Sequence, residues 1–167
     1  MKKFYLLVLL IMVALSAGAQ ERRAVGSFHA MDGYTYKNLT VNVYSDPQWI
    51  RLDTSIFLYN LRQDDWDVML RLMRKAAHYA KIVKDNATTF DYEKFVGSFM
   101  TEDNARVVVY FITHGWEDTQ VELGFYSGGR NTILTMSVKD ANDMTGALSV
   151  AVNTRAEYQR QIALLID

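Results

Sequence analysis

The chain has no cysteine, and its 167 residues include one proline and nine glycines. Without cysteine there can be no disulfide scaffold, thiolate zinc site, thiol nucleophile or bacterial lipid anchor on a cysteine. So little proline and glycine excludes collagen-like chains and Pro/Gly-rich disordered ones. An excess of either charge is missing as well. The 18 basic and 19 acidic groups leave a net charge of −1, which gives no basic footprint for nucleic acid or anionic lipid. Half of the residues are hydrophobic, the composition of an ordinary globular domain.

Long apolar runs are absent after the first 20 residues. Lys2 and Lys3 precede an unbroken apolar stretch over residues 4–15, and Ala17 and Ala19 follow at small-x-small spacing. That stretch is too short for a membrane helix, which needs about 20 residues. It has the form of a secretory signal peptide cleaved after Ala19. The expected organisation is a signal peptide over 1–19 and a single domain over 20–167, with no membrane span after cleavage. Removing Lys2 and Lys3 leaves 16 basic and 19 acidic groups, a net charge of −3. Export without cysteine points to a bacterial periplasm or the exterior rather than to a eukaryotic secretory route, where disulfides are common. Asn38-Leu39-Thr40 and Asn86-Ala87-Thr88 match the glycosylation sequon, a triplet that also arises by chance.

The pattern predicts an α+β fold. Residues 24–31 and 34–44 flank Asp32-Gly33, the signal for a two-residue hairpin that would set His29 opposite Tyr36. Asp46-Pro47 ends the second strand, and residues 49–59 read either as a buried strand or as a lead into a helix. Over 64–84, Trp66, Met69, Leu70, Met73, Ala77, Ala80 and Val83 form one stripe at helical spacing. Asp64, Asp65 and Asp67 stand at its positive end. Phe95 and Phe99, one turn apart, suggest a second, shorter helix over 90–100. From Arg106 the period becomes two. Strands are expected over 106–114, 119–127, 131–138 and 147–153, forming a four-stranded antiparallel meander with a turn at Gly128-Gly129 and a loop over 140–146. Thr154 and Glu157 then read as a capping box opening a short C-terminal helix that carries Tyr158, Ile162 and Leu165.

Short motifs for chemistry are few. His114-Gly115-Trp116-Glu117-Asp118 leaves the end of a central strand, so His114 is a candidate acid–base or metal-ligating group, with Glu117 and Asp118 as ligand or orienter. The His-Gly step resembles those of caspase-like proteases and lipase-type hydrolases. The first class needs a cysteine that this chain lacks, and the second needs Gly-x-Ser-x-Gly, which Gly124-Phe125-Tyr126-Ser127-Gly128 does not supply. Asp64, Asp65 and Asp67 are explained by the helix dipole, and Asp140, Asn142 and Asp143 lack the glycine and distal glutamate of a calcium loop. Tyr126-Ser127-Gly128-Gly129-Arg130 reads as a hairpin turn rather than an anion loop, and no metal site or cofactor is expected.

A more diffuse feature carries the functional expectation. With Val121, Leu123, Phe125, Leu134 and Met136 facing the core, the reverse face of the meander presents Gln120, Glu122, Tyr126, Thr135 and Ser137. Leu148, Val150 and Val152 of the strand expected over 147–153 face the core with them, and Ala147, Ser149 and Ala151 join the reverse face. A face of short uncharged side chains around a tyrosine suits a peptide, a protein, a small ligand or a second copy. Tyr126, Thr135, Ser137 and Ser149 are the expected binding residues of an exported interaction domain. The alternatives are a small hydrolase-like enzyme centred on His114 and a structural envelope subunit that pairs through a sheet edge. Binding is favoured over catalysis.

Overall fold

The computed structural model describes residues 23–45, 49–54, 58–101 and 103–166. The expected signal peptide over 1–19, Asp46-Pro47 and residues 55–57 lie outside the described residues. Four strands come first: β1 (Arg23–Asp32), β2 (Asn38–Ser45), β3 (Ile50–Asp53) and β4 (Leu58–Leu61). Helix α1 (Gln63–Asp85) follows, then β5 (Asp91–Met100), β6 (Arg106–His114), β7 (Thr119–Ser127) and β8 (Arg130–Ser137), and finally helix α2 (Val138–Ile166). The strands form one antiparallel sheet in the order β4-β3-β2-β1-β8-β7-β6-β5. The fold is thus α+β, two four-stranded meanders joined side by side through β1 and β8.

Alternation in each strand sends one row of side chains to a single core and the other row to the opposite, outer face. Val107, Val109 and Phe111 of β6, Val121, Leu123 and Phe125 of β7, and Val41 and Val43 of β2 are all fully or almost fully buried. The α1 stripe meets them: Trp66, Met69, Met73 and Ala80 belong to the same cluster, and Tyr79 lies 6.1 Å from Phe111, ring to ring. Trp66 is completely buried, and its indole N–H donates to the Leu61 carbonyl at 2.9 Å. The helix start expected from the acids is present. Asp65 accepts the Arg62 N–H at 3.3 Å, while burial raises its carboxyl above the ordinary value. The sheet curls about this core, so that Tyr59 on β4 stacks on Phe125 of β7 at 4.2 Å.

Five expectations are corrected. Residues 91–100 form strand β5, not a helix. A bulge between Phe95 and Gly97 inserts one residue into the ladder with β6, so Phe95 faces outward and Phe99 packs against the core. An even spacing that suggested one helical face instead straddles the sheet. Residues 147–153 are not a strand and 140–146 not a loop, because α2 runs unbroken from Val138. Ala141, Met144, Leu148 and Ala151, spaced by three and four, are its buried stripe. Val150, Val152 and Thr154 imitate a strand by composition.

The meander consequently starts one element earlier, as β5 to β8. Thr154 is no cap, since its hydroxyl donates to the Val150 carbonyl within the helix at 2.9 Å. The first hairpin also differs. Its loop spans residues 33–37, and His29 pairs with Thr40 rather than Tyr36. Asp32 closes it, accepting the Tyr34 N–H at 3.1 Å and the Thr35 hydroxyl. The Gly128-Gly129 turn stands as expected, with positive φ at both residues.

Candidate functional site

Both helices lie against the inner face of the sheet, as their shared core shows. No helix covers the outer face among the described residues. The seam between the two meanders is short. β1 and β8 pair through just Met31 with Thr135 and Asp32 with Leu134, extended by the Gly33 N–H donating to the Ile133 carbonyl at 2.8 Å. Gly33 is needed here for close approach: a Cβ would stand 2.8 Å from Ile133 Cγ2. Beyond Met31 no further β1–β8 pair forms among the described residues, and β8 ends at Ser137, where α2 begins. Strand periodicity aims the backbone groups of His29 and Ser27 toward the gap, and no strand pairs with β1 there among the described residues.

The gap is a cleft of about 300 Å³, lined on one side by His29 and Asn38 and on the other by Thr135, Ser137 and Asp140. Glu117, Asp118, Thr119 and Gln120 close one end. Four of the residues singled out from the sequence (Glu117, Asp118, Thr135 and Ser137) therefore meet in one place. Ser137 also has a structural duty as the cap of α2. The Asp140 N–H donates to its Oγ at 3.1 Å, and the hydroxyl donates to Asp140 Oδ2 at 2.5 Å.

The turn that carries Glu117 and Asp118 is held tightly. The His114 N–H donates to the Asp118 carbonyl at 2.8 Å, the buried Thr113 hydroxyl to the Gly115 carbonyl at 2.7 Å, and the Trp116 N–H to the Thr88 carbonyl at 2.7 Å. Gly115 takes a φ of 103°, where a side chain would strain the backbone. The Gln120 amide donates to Asp118 Oδ1 at 3.1 Å. On its far side the turn borders a second groove of about 660 Å³ between α1 and the start of α2, with Lys84, Trp116 and Asn142 among its walls.

The remaining three are elsewhere. His114 is on the outer face at the end of β6, with Nδ1 3.2 Å from Asp91 Oδ1 and both side chains largely exposed. It does not line the cleft with Glu117 and Asp118. Ser149 lies in α2, where its hydroxyl donates to the Thr145 carbonyl at 2.8 Å. Tyr126 is on the outer face as expected, at the far end of β7. No group of three or more acidic or histidine side chains that could hold a metal is found among the described residues.

The outer face around Tyr126 is richer than a row of small polar residues. A Cβ at Gly124 would lie 2.7 Å from Tyr126 Cε2 and 2.8 Å from its Oη, so the tyrosine ring folds back along its own strand over the glycine. Tyr110 stands directly across from Glu122, and Phe95 meets Tyr110 edge-on at 5.6 Å. Burial raises the Glu122 carboxyl above its ordinary value, and the neighbouring Glu93 adds to the shift. Burial, then Glu122, Tyr34 and Tyr110, likewise raise Tyr126, which stays a neutral phenol near pH 7. Sequence reading missed Phe95, Tyr110 and His29. Tyr110 alternates with the buried Val109 and Phe111, which was the available signal. Comparison with protein-family models, curated proteins and solved structures finds no match for this chain.

Proposed function

We propose that this is an exported binding domain that engages a partner in the bacterial envelope through the outer face of its sheet and the cleft at the β1–β8 seam. The observation that carries this reading is the seam itself. Two residue pairs join β1 to β8, and the gap beyond them is lined by polar residues interspersed with Ala30, Met31 and Met136, next to β1 backbone groups without a strand partner among the described residues. Such an opening offers an extended segment both main-chain bonds and polar side chains. Export rests on Lys2, Lys3, the apolar run over 4–15 and the Ala17-x-Ala19 step. No helix among the described residues is long and apolar enough to cross a membrane.

The test is native mass spectrometry of the protein recovered from the envelope, comparing wild type with His29→Trp and Thr135→Phe. Both substitutions fill the cleft from residues that are not core. A co-purified mass, whether a ligand, another protein or a second copy, that is lost in both variants while their melting temperatures hold supports the proposal. Retention of that mass in both variants, or a bare wild-type monomer, contradicts it.

A further inference from the structure

We infer that the outer face recognises a guanidinium group, an arginine of a partner polypeptide, at a site centred on Glu122 and walled by Tyr110 and Tyr126. This rests on the reading of that face as a binding surface and specifies what it takes. Glu122 projects from the middle of β7, with Tyr110 as its cross-strand neighbour on β6 and Thr135 on β8. The Tyr126 ring fills the space over Gly124 and so lies along the same row toward Glu122. Phe95 braces Tyr110 from the side, and Tyr34 adds a third phenol near Tyr126.

Among the described residues no cation meets the charge of Glu122. The ionised neighbour that Glu122 feels is Glu93, another carboxylate, and burial adds to the cost of its own charge. Arg106 stands at the other end, opposite Tyr126, and it influences Tyr126 rather than Glu122. His114 pairs with Asp91. A partly desolvated carboxylate with two tyrosine rings beside it complements a cation by Coulomb attraction and offers it aromatic neighbours. Arginine fits better than lysine because its planar group can stack on a ring and still give two parallel hydrogen bonds to a carboxylate. The broad, helix-free face around the site suits a polypeptide carrying that arginine. Gly124 in the middle of a core strand also gains a reason, since any side chain there would displace Tyr126.

The experiment is an NMR titration of the full chain at low salt with N-acetyl-arginine methylamide and, separately, its neutral citrulline counterpart. Saturable shifts of the Glu122, Tyr110 and Tyr126 resonances are expected, with the citrulline compound about tenfold weaker. Glu122→Gln should weaken the arginine compound by a similar factor, about tenfold, while the protein stays folded. Equal response to the two compounds overturns the inference. So do shifts confined to Glu117, Asp118 and Asp140 that Glu122→Gln leaves unchanged. Loss of an envelope partner in His29→Trp and Thr135→Phe, together with a failed arginine titration, would sink this inference and leave the binding reading standing.

Discussion

Gly26 of β1 lies tight against Ala147 of α2, and the contact sets a measurable limit. A Cβ at Gly26 would lie 2.7 Å from the Ala147 Cβ and 3.4 Å from its Cα. Carbon atoms in good contact are about 3.5–4.0 Å apart, so Gly26→Ala demands roughly 1 Å of extra separation. Ala147 is 7% exposed, and neither atom is the free end of a flexible side chain that could swing away. Overpacking of this kind costs about 1–3 kcal/mol. The Gly26 backbone has no positive φ, so alanine also brings an unfolded-state gain of about 0.4–1 kcal/mol. The net expectation is a loss of about 1–2 kcal/mol, or a melting temperature lower by roughly 2–8 °C for a domain of this size.

Ala147→Gly by itself costs about 1 kcal/mol of helix propensity but removes the clash. The two changes together should therefore cost less than their sum by about 1 kcal/mol or more, read from a double-mutant cycle in urea unfolding. A neutral Gly26→Ala, or costs that simply add, would refute both the helical placement of Ala147 and the packing of α2 on β1.

Three other expectations follow from the same geometry. Glu122 has a folded pKa raised above its unfolded value, so its ionisation opposes folding at neutral pH and the penalty vanishes as pH falls below about 4. Glu122→Gln should accordingly melt higher than wild type at pH 7 and equal to it near pH 3.5; a lower melting temperature at pH 7 would contradict this. Asp32 has the opposite sign. The Thr35 hydroxyl, then the Tyr34 and Thr35 N–H groups, hold its carboxyl below the ordinary value against the effect of burial. Its contribution is present above the unfolded value of about 3.9 and is lost as pH falls through the lowered folded value. Asp32→Ala should cost about 1–2 kcal/mol at pH 7, with the deficit shrinking in acid. Trp66→Phe removes the bond to the Leu61 carbonyl and leaves a void in the core. Chemical denaturation should show a loss of about 2–4 kcal/mol, and a loss under 1 kcal/mol would mean that Trp66 is not sealed there.

What could be read from the sequence was local. The α1 stripe from Trp66 to Val83, the Gly128-Gly129 turn and the inward rows of β6, β7 and β8 each follow from a period or a turn signal within a few residues. The failures have equally specific causes. A single bulge at Val96 reversed the meaning of the Phe95–Phe99 spacing. A cluster of β-branched residues near Val150 masked the helical stripe of Ala141, Met144, Leu148 and Ala151. Asp32-Gly33 looked like a two-residue turn, whereas Asp32 caps a longer loop and Gly33 lets Ile133 approach.

The site was legible as individual residues but not as a place. Thr135 and Ser137 on β8 meet His29 on β1 only because the first and last strands are neighbours in the sheet. That adjacency spans about a hundred residues of chain, and no local pattern encodes it. Ser149 was drawn into the expected surface by the misread strand. Tyr126 held its face, yet its neighbours Tyr110 and Phe95 depend on the register of β5 with β6 and of β6 with β7.

The most direct measurement of the proposed binding is a map of amide-resonance changes when the isolated protein is mixed with the species that co-purifies with it. Changes should concentrate on the outer-face residues of β6, β7 and β8 and on the cleft, at His29, Glu122, Tyr126 and Thr135, and spare the solvent side of both helices. Changes confined to the exposed positions of α1 or α2, with those four residues unmoved, would contradict binding through the sheet.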